Sequence, residues 1–397
     1  MQGDTPYRLK LLPGKEKSLQ RRHPWIFSGA FSTKPHDIPE GELVDVYTAD
    51  NRWMAVGQYQ QGSIMVKVLS FDEPHVDMGR YPDFWRQRVA GAVALRQQLG
   101  LVGNEQTNVF RLINGEGDFL PSLIVDYYAG TLVLQAHSVG MYRLFPALVP
   151  MLMELVPGAK AVFSKSSATL PEGVATDGFL HGAEVRECEV CEHGNRMLVD
   201  LYDGQKTGFF IDQRDNRALV GRVAAGRRVL NCFGYTGGFS LSALAGGASY
   251  VETVDISRKA LTMCDRNIAL NHFEQSHRSV AADVLKYLDE AGDDFDIVIL
   301  DPPAFAKNHH SLQQGLKGYR SINQKAMRQL RAGGLLFTFS CSQAVSREDF
   351  QTMAFSAAAL AGRQVRVVRY LSQAEDHPVS IYHPEGAYLK GLLLEVE

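Results

Sequence analysis

The chain has 397 residues, 45% of them hydrophobic and 21% charged, with a formal net charge of −3. That balance is ordinary for a soluble globular chain with room for about two or three domains, and it does not by itself point to nucleic acid. No run of about 18 apolar residues exists to span a membrane, MQGDTPYRLK lacks the apolar core of a secretion signal, and five cysteines, an odd number without disulfide-like spacing, fit a reducing compartment, so a cytoplasmic protein is expected.

Within residues 1–36 the charge is uneven: Arg8, Lys10, Lys15, Lys17, Arg21, Arg22 and Lys34 outnumber Asp4 and Glu16. Such a patch can contact phosphates on an acidic protein, although a solvated charged face has the same composition. Short apolar runs at residues 7–12, 43–48, 53–59 and 64–69, separated by Pro- and Gly-containing turns, predict a small barrel-like β domain. Residues 71–81 read as a linker. Helical spacing follows at 84–99, then strands at 109–113, 122–127 and 131–136, a helix at 141–156 and a strand at 161–163. A hairpin is expected from strands 185–191 and 196–201 joined through Gly194-Asn195. Beyond residue 201 strands and helices alternate: strands at 228–230, 250–254, 279–281, 295–300 and 335–339, helices at 239–245, 258–270, 284–290, 319–330 and 350–360, and late strands at 364–370 and 387–396. This alternation predicts a mainly parallel sheet covered on both faces. The expected division is 1–75, 76–200 and 201–397.

In such a sheet ligands sit beyond the carboxyl ends of the strands. Asn231 to Phe239 (NCFGYTGGF) follows the first strand and opens a helix; its glycines permit a tight turn and close backbone approach. It matches neither the dinucleotide fingerprint nor a P-loop. The candidate cofactor contacts here are Phe233, Gly234, Thr236 and Gly237. The second strand ends at Asp255, which can accept hydrogen bonds from a ribose diol. The third is followed by Asp283, placed to accept from an adenine amino group. Each acid alone can equally be a helix cap. The fourth strand runs into Asp301-Pro302-Pro303-Ala304-Phe305, and the fifth into Ser340-Cys341-Ser342. Glycine loop, two acids and Asp-Pro-Pro in this order resemble class I S-adenosylmethionine-dependent methyltransferases.

Carbon 5 of a pyrimidine is a poor nucleophile. A thiolate adding to C6 makes C5 electron-rich enough to take a methyl group, and loss of the C5 proton with elimination of the thiol restores the ring. Cys341 is the candidate nucleophile. Asp301 is the candidate partner for the N3/N4 edge of cytosine. Without these neighbours Cys341 would read as a buried core thiol. Cys232 and Cys264 read as packing residues. Cys188 and Cys191 form C-x-x-C near His193 but lack a second ligand pair, so no metal is expected. Asp376-His377-Pro378 and His383-Pro384 read as loop residues that could edge the site.

The stretch from Gly204 to Arg214 (GQKTGFFIDQR) resembles the segment ahead of the cofactor loop in RNA pyrimidine-C5 methyltransferases, which implies roles at the cofactor and target-base pocket for Lys206, Phe210 and Arg214. Together with Leu11-Leu12-Pro13-Gly14-Lys15 and Arg21-Arg22-His23-Pro24-Trp25-Ile26-Phe27, the chain resembles, over nearly its whole length, the PUA-linked family of S-adenosylmethionine-dependent ribosomal RNA cytosine-C5 methyltransferases. The resemblance implies an N-terminal PUA barrel that binds RNA through residues such as Arg21 and Arg22, a central mixed α/β domain and a C-terminal Rossmann-like catalytic domain. It implies S-adenosyl-L-methionine as cofactor, a cytosine of bacterial 23S rRNA as target, and Arg214 and Asp301 at the cofactor. It also implies Pro302, Pro303 and Phe305 at the target base. Ala304 stands where many RNA cytosine-C5 methyltransferases carry a second cysteine, which leaves Cys341 as the nucleophile candidate. Two other readings compete. One is an exocyclic amino methyltransferase, weakened by Ala304 between Pro303 and Phe305. The other is a non-catalytic RNA-binding protein that keeps the fold.

Overall fold

The four apolar runs near the N-terminus form strands β1 (Tyr7–Lys10), β3 (Leu43–Tyr47), β4 (Trp53–Tyr59) and β5 (Ile64–Ser70), and with a fifth, β2 (Trp25–Phe27), they make one sheet in the order β1-β3-β4-β5-β2. In the computed structural model, residues 7–32, 37–72, 82–290, 292 and 294–397 are described, so most of the expected linker, from residue 73, lies outside them. The chain divides into two compact units, one of Met1–Val190, Val199–Phe210 and Glu375–Gly386, the other of Cys191–Leu198, Ile211–Ala374 and Ala387–Glu397.

In the first unit the inward residues of the N-terminal sheet, among them Leu9, Ile26, Val44, Val46, Val66 and Val68, form their own core. The short helix α1 (Lys17–Gln20) and strand β2 escape periodicity because each spans barely one repeat. A second sheet has the order β10-β9-β8-β7-β6, from β6 (Val109–Asn114), β7 (Leu123–Tyr128), β8 (Thr131–Ala136), β9 (Ala161–Ser164) and β10 (Gly178–His181). Helix α2 (Pro82–Gln98) packs Trp85, Val89, Ala92 and Val93 against it. The helix expected at 141–156 is two, α3 (Val139–Arg143) and α4 (Phe145–Leu155).

Arg96 is buried in the first unit and donates to both oxygens of Asp118, at 2.5 and 2.8 Å, and to the Asp376 carbonyl at 2.7 Å. Asp376 also accepts the Arg111 backbone N–H at 2.8 Å. Asp376, His377 and His383 are therefore buried supports of this unit rather than open loop residues.

Strands β11 (Glu187–Glu192) and β12 (Asn195–Asp200) form the hairpin, but its two turn residues are His193 and Gly194, both with positive φ, not Gly194-Asn195. That is the backbone signature of a tight two-residue hairpin turn.

The second unit is a seven-stranded sheet in the order β15-β14-β13-β16-β17-β19-β18. Its strands are β13 (Arg228–Cys232), β14 (Tyr250–Asp255), β15 (His277–Ala281), β16 (Phe295–Leu300), β17 (Leu330–Ser340), β18 (Val365–Leu371) and β19 (Lys390–Val396). The first five run parallel, and β19 and β18 join antiparallel. The central parallel strands β16 and β17 carry near-continuous apolar runs because both faces are covered. The helices are α5 (Arg214–Val223), α6 (Gly238–Ala245), α7 (Arg258–Leu270), α8 (Val284–Glu290), α9 (Leu312–Gln329) and α10 (Arg347–Ala361). Local chemistry sets their starts: Ser257 caps α7, and Ser346 with Asp349 forms a capping box on α10. Helix α5 opens on Arg214; its Arg217 is clamped by Glu192 through two bonds of 2.6 Å, both side chains buried. Among the described residues no helix is long and apolar enough to cross a membrane.

Candidate cofactor and catalytic site

The parallel order of β15, β14, β13, β16 and β17 delivers Asp283, Asp255, the 233–237 loop, Asp301 and Cys341 to one rim of the second unit. The loop is strained. Phe233, Tyr235 and Gly237 have φ of 59°, 49° and 83°, and non-glycine residues in this region cost roughly 1–3 kcal/mol each. Two glycines are dictated from below. A Cβ on Gly234 would lie 2.3 Å from Thr253 Cγ2, and one on Gly237 2.4 Å from Cys264 Sγ. The loop thus lies flat on β14 and α7, which leaves its upper backbone for a ligand.

Asp255 locks this arrangement. One carboxylate oxygen accepts the Tyr235 N–H at 3.0 Å and the other the Ser257 N–H at 2.8 Å. Each oxygen keeps a further lone pair, so a diol can still be received. Beside it Ile256 is 74% exposed, an apolar face next to an acid, which suits a purine ring above a ribose. Sequence reading missed Ile256; an apolar residue directly after the strand-ending acid was the available signal. Asp283 is exposed and accepts the Lys286 N–H at 3.1 Å, so it caps α8 and still presents an oxygen at the rim. A diol acceptor, an apolar plate and a polar edge in sequence form a donor set that fits S-adenosylmethionine.

Asp301 and Cys341 follow neighbouring strands, with Leu300 paired to Thr338. Their loops are tied together: the Ser342 hydroxyl donates to the Ala306 carbonyl, and Phe305 N–H reaches the Tyr319 hydroxyl at 3.3 Å. The Phe305 ring packs on Tyr319 with centroids 4.7 Å apart. Burial raises the Tyr319 pKa, its hydroxyl bonds Ser340, and both Cys341 and Asp301 act on it electrostatically. Pro302 is buried and Pro303 exposed. Lys390, not singled out in the sequence, donates to the carbonyls of Ser342 and Tyr388.

Cys341 is partly exposed, unlike Cys232 and Cys264, which are fully buried. Burial raises the Cys232 thiol pKa and pushes that of Cys264 up to about 12. Both therefore stay protonated and serve packing. Cys188 is buried within β11, and among the described residues no cluster of metal-ligating side chains occurs. Arg214, in the second unit, is buried beside Asp215, whose Oδ1 it reaches at 3.2 Å. Lys206 and Phe210 belong to the first unit, where the ammonium lies 4.5 Å from the ring centroid. Arg21 and Arg22 are exposed in that unit, and Arg22 is bidentate to Asp72 at 2.7 and 3.2 Å.

A family model described as S-adenosylmethionine-dependent methyltransferase matches residues 170–378, and one described as a PUA-like domain matches residues 9–71. A protein of Shewanella amazonensis named ribosomal RNA large subunit methyltransferase I is 41% identical over 403 residues, covering 98% of this chain and 99% of its own. One of the same name from Escherichia coli is 40% identical over 402 residues with the same coverage. Among solved structures, a candidate S-adenosylmethionine-dependent methyltransferase from Streptococcus mutans superposes with a TM-score of 0.84 at 20% identity, covering 98% of this chain and 100% of its own; it speaks to the fold alone.

Proposed function

The chain belongs to the S-adenosylmethionine-dependent methyltransferases, and from that premise we propose that it methylates C5 of a specific cytosine in 23S rRNA through a covalent adduct with Cys341. Relatives of almost equal length carry the large-subunit ribosomal RNA name, which supports the class of substrate. The observation that carries the chemistry is that Asp301 and the partly exposed Cys341 follow the neighbouring strands β16 and β17, next to β13, which leads into the 233–237 loop.

Bound S-adenosylmethionine supplies an electrophilic methyl group. In the proposed binding, Asp255 takes the ribose diol, Ile256 the adenine face and Asp283 its amino group. Phe233, Gly234, Thr236 and Gly237 offer loop backbone, and Arg214 and Asp301 flank the donor. Cys341 Sγ adds to C6 of the cytosine, and the ring electrons move to C5, which takes the methyl group. Loss of the C5 proton and departure of the thiolate restore the ring and free the enzyme. Asp301 hydrogen-bonds the N3/N4 edge and stabilises the protonated adduct. Pro302, Pro303 and Phe305 wall the base. Lys206, Phe210, Arg21 and Arg22 contact RNA, with residues 1–75 as the RNA-binding domain, 76–200 central and 201–397 catalytic.

Cys341→Ala is expected to abolish methyl transfer to ribosomal RNA while calorimetric binding of S-adenosylmethionine persists. Near-normal turnover of that variant, or a methyl group located on nitrogen by nucleoside mass spectrometry, would overturn the covalent route.

A further inference from the structure

We propose that Lys390 is the positioning cation of the catalytic corner and holds Cys341 as a thiolate; this rests on the reading that Cys341 is the nucleophile. Lys390 opens β19, and its Cα pairs with Ser340, the last residue of β17 before Cys341. Directly opposed residues of an antiparallel pair project to the same face. Lys390 therefore shares a face with Ser340, whose side chain bonds the Tyr319 hydroxyl. The chain leaves the ladder at Cys341, at the level where the lysine enters it.

The lysine opens a largely apolar strand, KGLLLEV, and is only 5% exposed. Its Nζ donates to the Ser342 carbonyl at 2.5 Å and to the Tyr388 carbonyl at 2.7 Å. The first bond ties the ammonium to the residue that follows Cys341. An ammonium has three donors, so one remains beyond the two carbonyls. A buried cation held by neutral oxygens is costly unless an opposite charge accompanies it. Cys341 is the group that supports its charged form, while Arg347, at the start of α10, opposes it.

Burial pushes Lys390 down to about 8. In the proposed pair the proton passes from Sγ to Nζ, converting thiol and amine into thiolate and ammonium with no change in net charge. The other groups facing this corner divide. Asp301 at the end of β16 carries charge of the same sign as a thiolate, whereas Arg347 carries the opposite sign. Tyr319 on α9, raised by burial, stays neutral.

The test is site-resolved alkylation of Cys341 by iodoacetamide against pH, read by mass spectrometry of its peptide in the full-length protein without RNA. The wild-type midpoint is expected below the free-thiol value of about 8.5. Lys390→Met is expected to raise it by about one unit, slowing labelling at pH 7 about tenfold, and Lys390→Arg to restore it. A lysine that merely props up the backbone would leave the midpoint in place. An unmoved midpoint in a folded Lys390→Met overturns the proposal, as does a wild-type midpoint at or above the free-thiol value, which decides the matter if the variant does not fold. A shifted midpoint with no C5 product would leave the lysine's role standing and sink the cytosine reading. A Cys341-dependent C5 product without a shift would sink the lysine alone.

Discussion

Gly237→Ala tests whether the 233–237 loop is pressed onto the fold as described. Two costs combine. The residue sits at φ 83°, where an alanine pays roughly 1–2 kcal/mol. Its Cβ would also stand 2.4 Å from Cys264 Sγ and 3.3 Å from Cys264 Cβ, and overpacking of that kind costs roughly 1–3 kcal/mol. A loss of about 2–5 kcal/mol is expected by equilibrium denaturation, with weakened S-adenosylmethionine binding because the loop must lift. Gly362→Ala provides the control: it has φ 70° with nothing within 4 Å of the added carbon, so it reports the backbone cost alone. Removing the obstacle in Gly237→Ala/Cys264→Ala should recover about 1–3 kcal/mol relative to the sum of the single changes. If the double variant is additive within about 0.5 kcal/mol, the sulfur is not what the loop rests on, and the packing argument fails.

Asp255→Asn replaces one of two acceptors with a donor facing a backbone N–H, so calorimetry should show S-adenosylmethionine binding weakened about ten- to a hundredfold; an unchanged affinity would remove Asp255 from the site. Burial lowers the His277 pKa, so the unfolded chain takes up its proton first as pH falls below about 6.5. Stability should therefore decline through that window towards the lower folded value, and His277→Gln should flatten this acid limb in denaturation series at several pH values. Glu192→Gln strands the buried Arg217 guanidinium and should cost about 3–5 kcal/mol; a loss under about 1 kcal/mol would mean that water reaches the pair.

The parallel strands were legible because burial on both faces writes itself as an apolar run, as in FDIVIL of β16. Helix α5 was not. Its buried residues include Arg214, Asn216 and Arg217, polar groups that find hydrogen-bond partners near and far along the chain, so no apolar stripe announces it. Helix α9 begins at Leu312 rather than near 319, and its Gly315 and Gly318 let that first part approach Ala306 and Phe305. The acids and Cys341 could be placed at strand ends from order alone. Lys390 could not, since its position follows from the antiparallel register of β19 against β17.

Both halves of the rim are held by buried polar groups where apolar packing would leave freedom. Beneath the cofactor loop, Asn231 Nδ2 donates to Ser240 Oγ at 2.8 Å, Ser240 and Thr253 hydroxyls meet at 2.6 Å, and Thr253 meets His277 Nε2 at 2.7 Å. Since Asn231 can only donate from nitrogen, the hydroxyl protons point onward, and neutral His277 accepts the last one. Such a chain sets one run of donors and acceptors beneath the loop, while Asp255 holds Tyr235 by its N–H. Under the catalytic corner, Ser342 to Ala306, Tyr319 to Phe305 and Lys390 to two carbonyls do the same for Asp301 and Cys341. Apolar contacts tolerate sliding; directional bonds in a dry interior do not. A methyl donor and a ring carbon must meet within a few tenths of an ångström, so the fold spends directional bonds at the two places where displacement would be felt as rate.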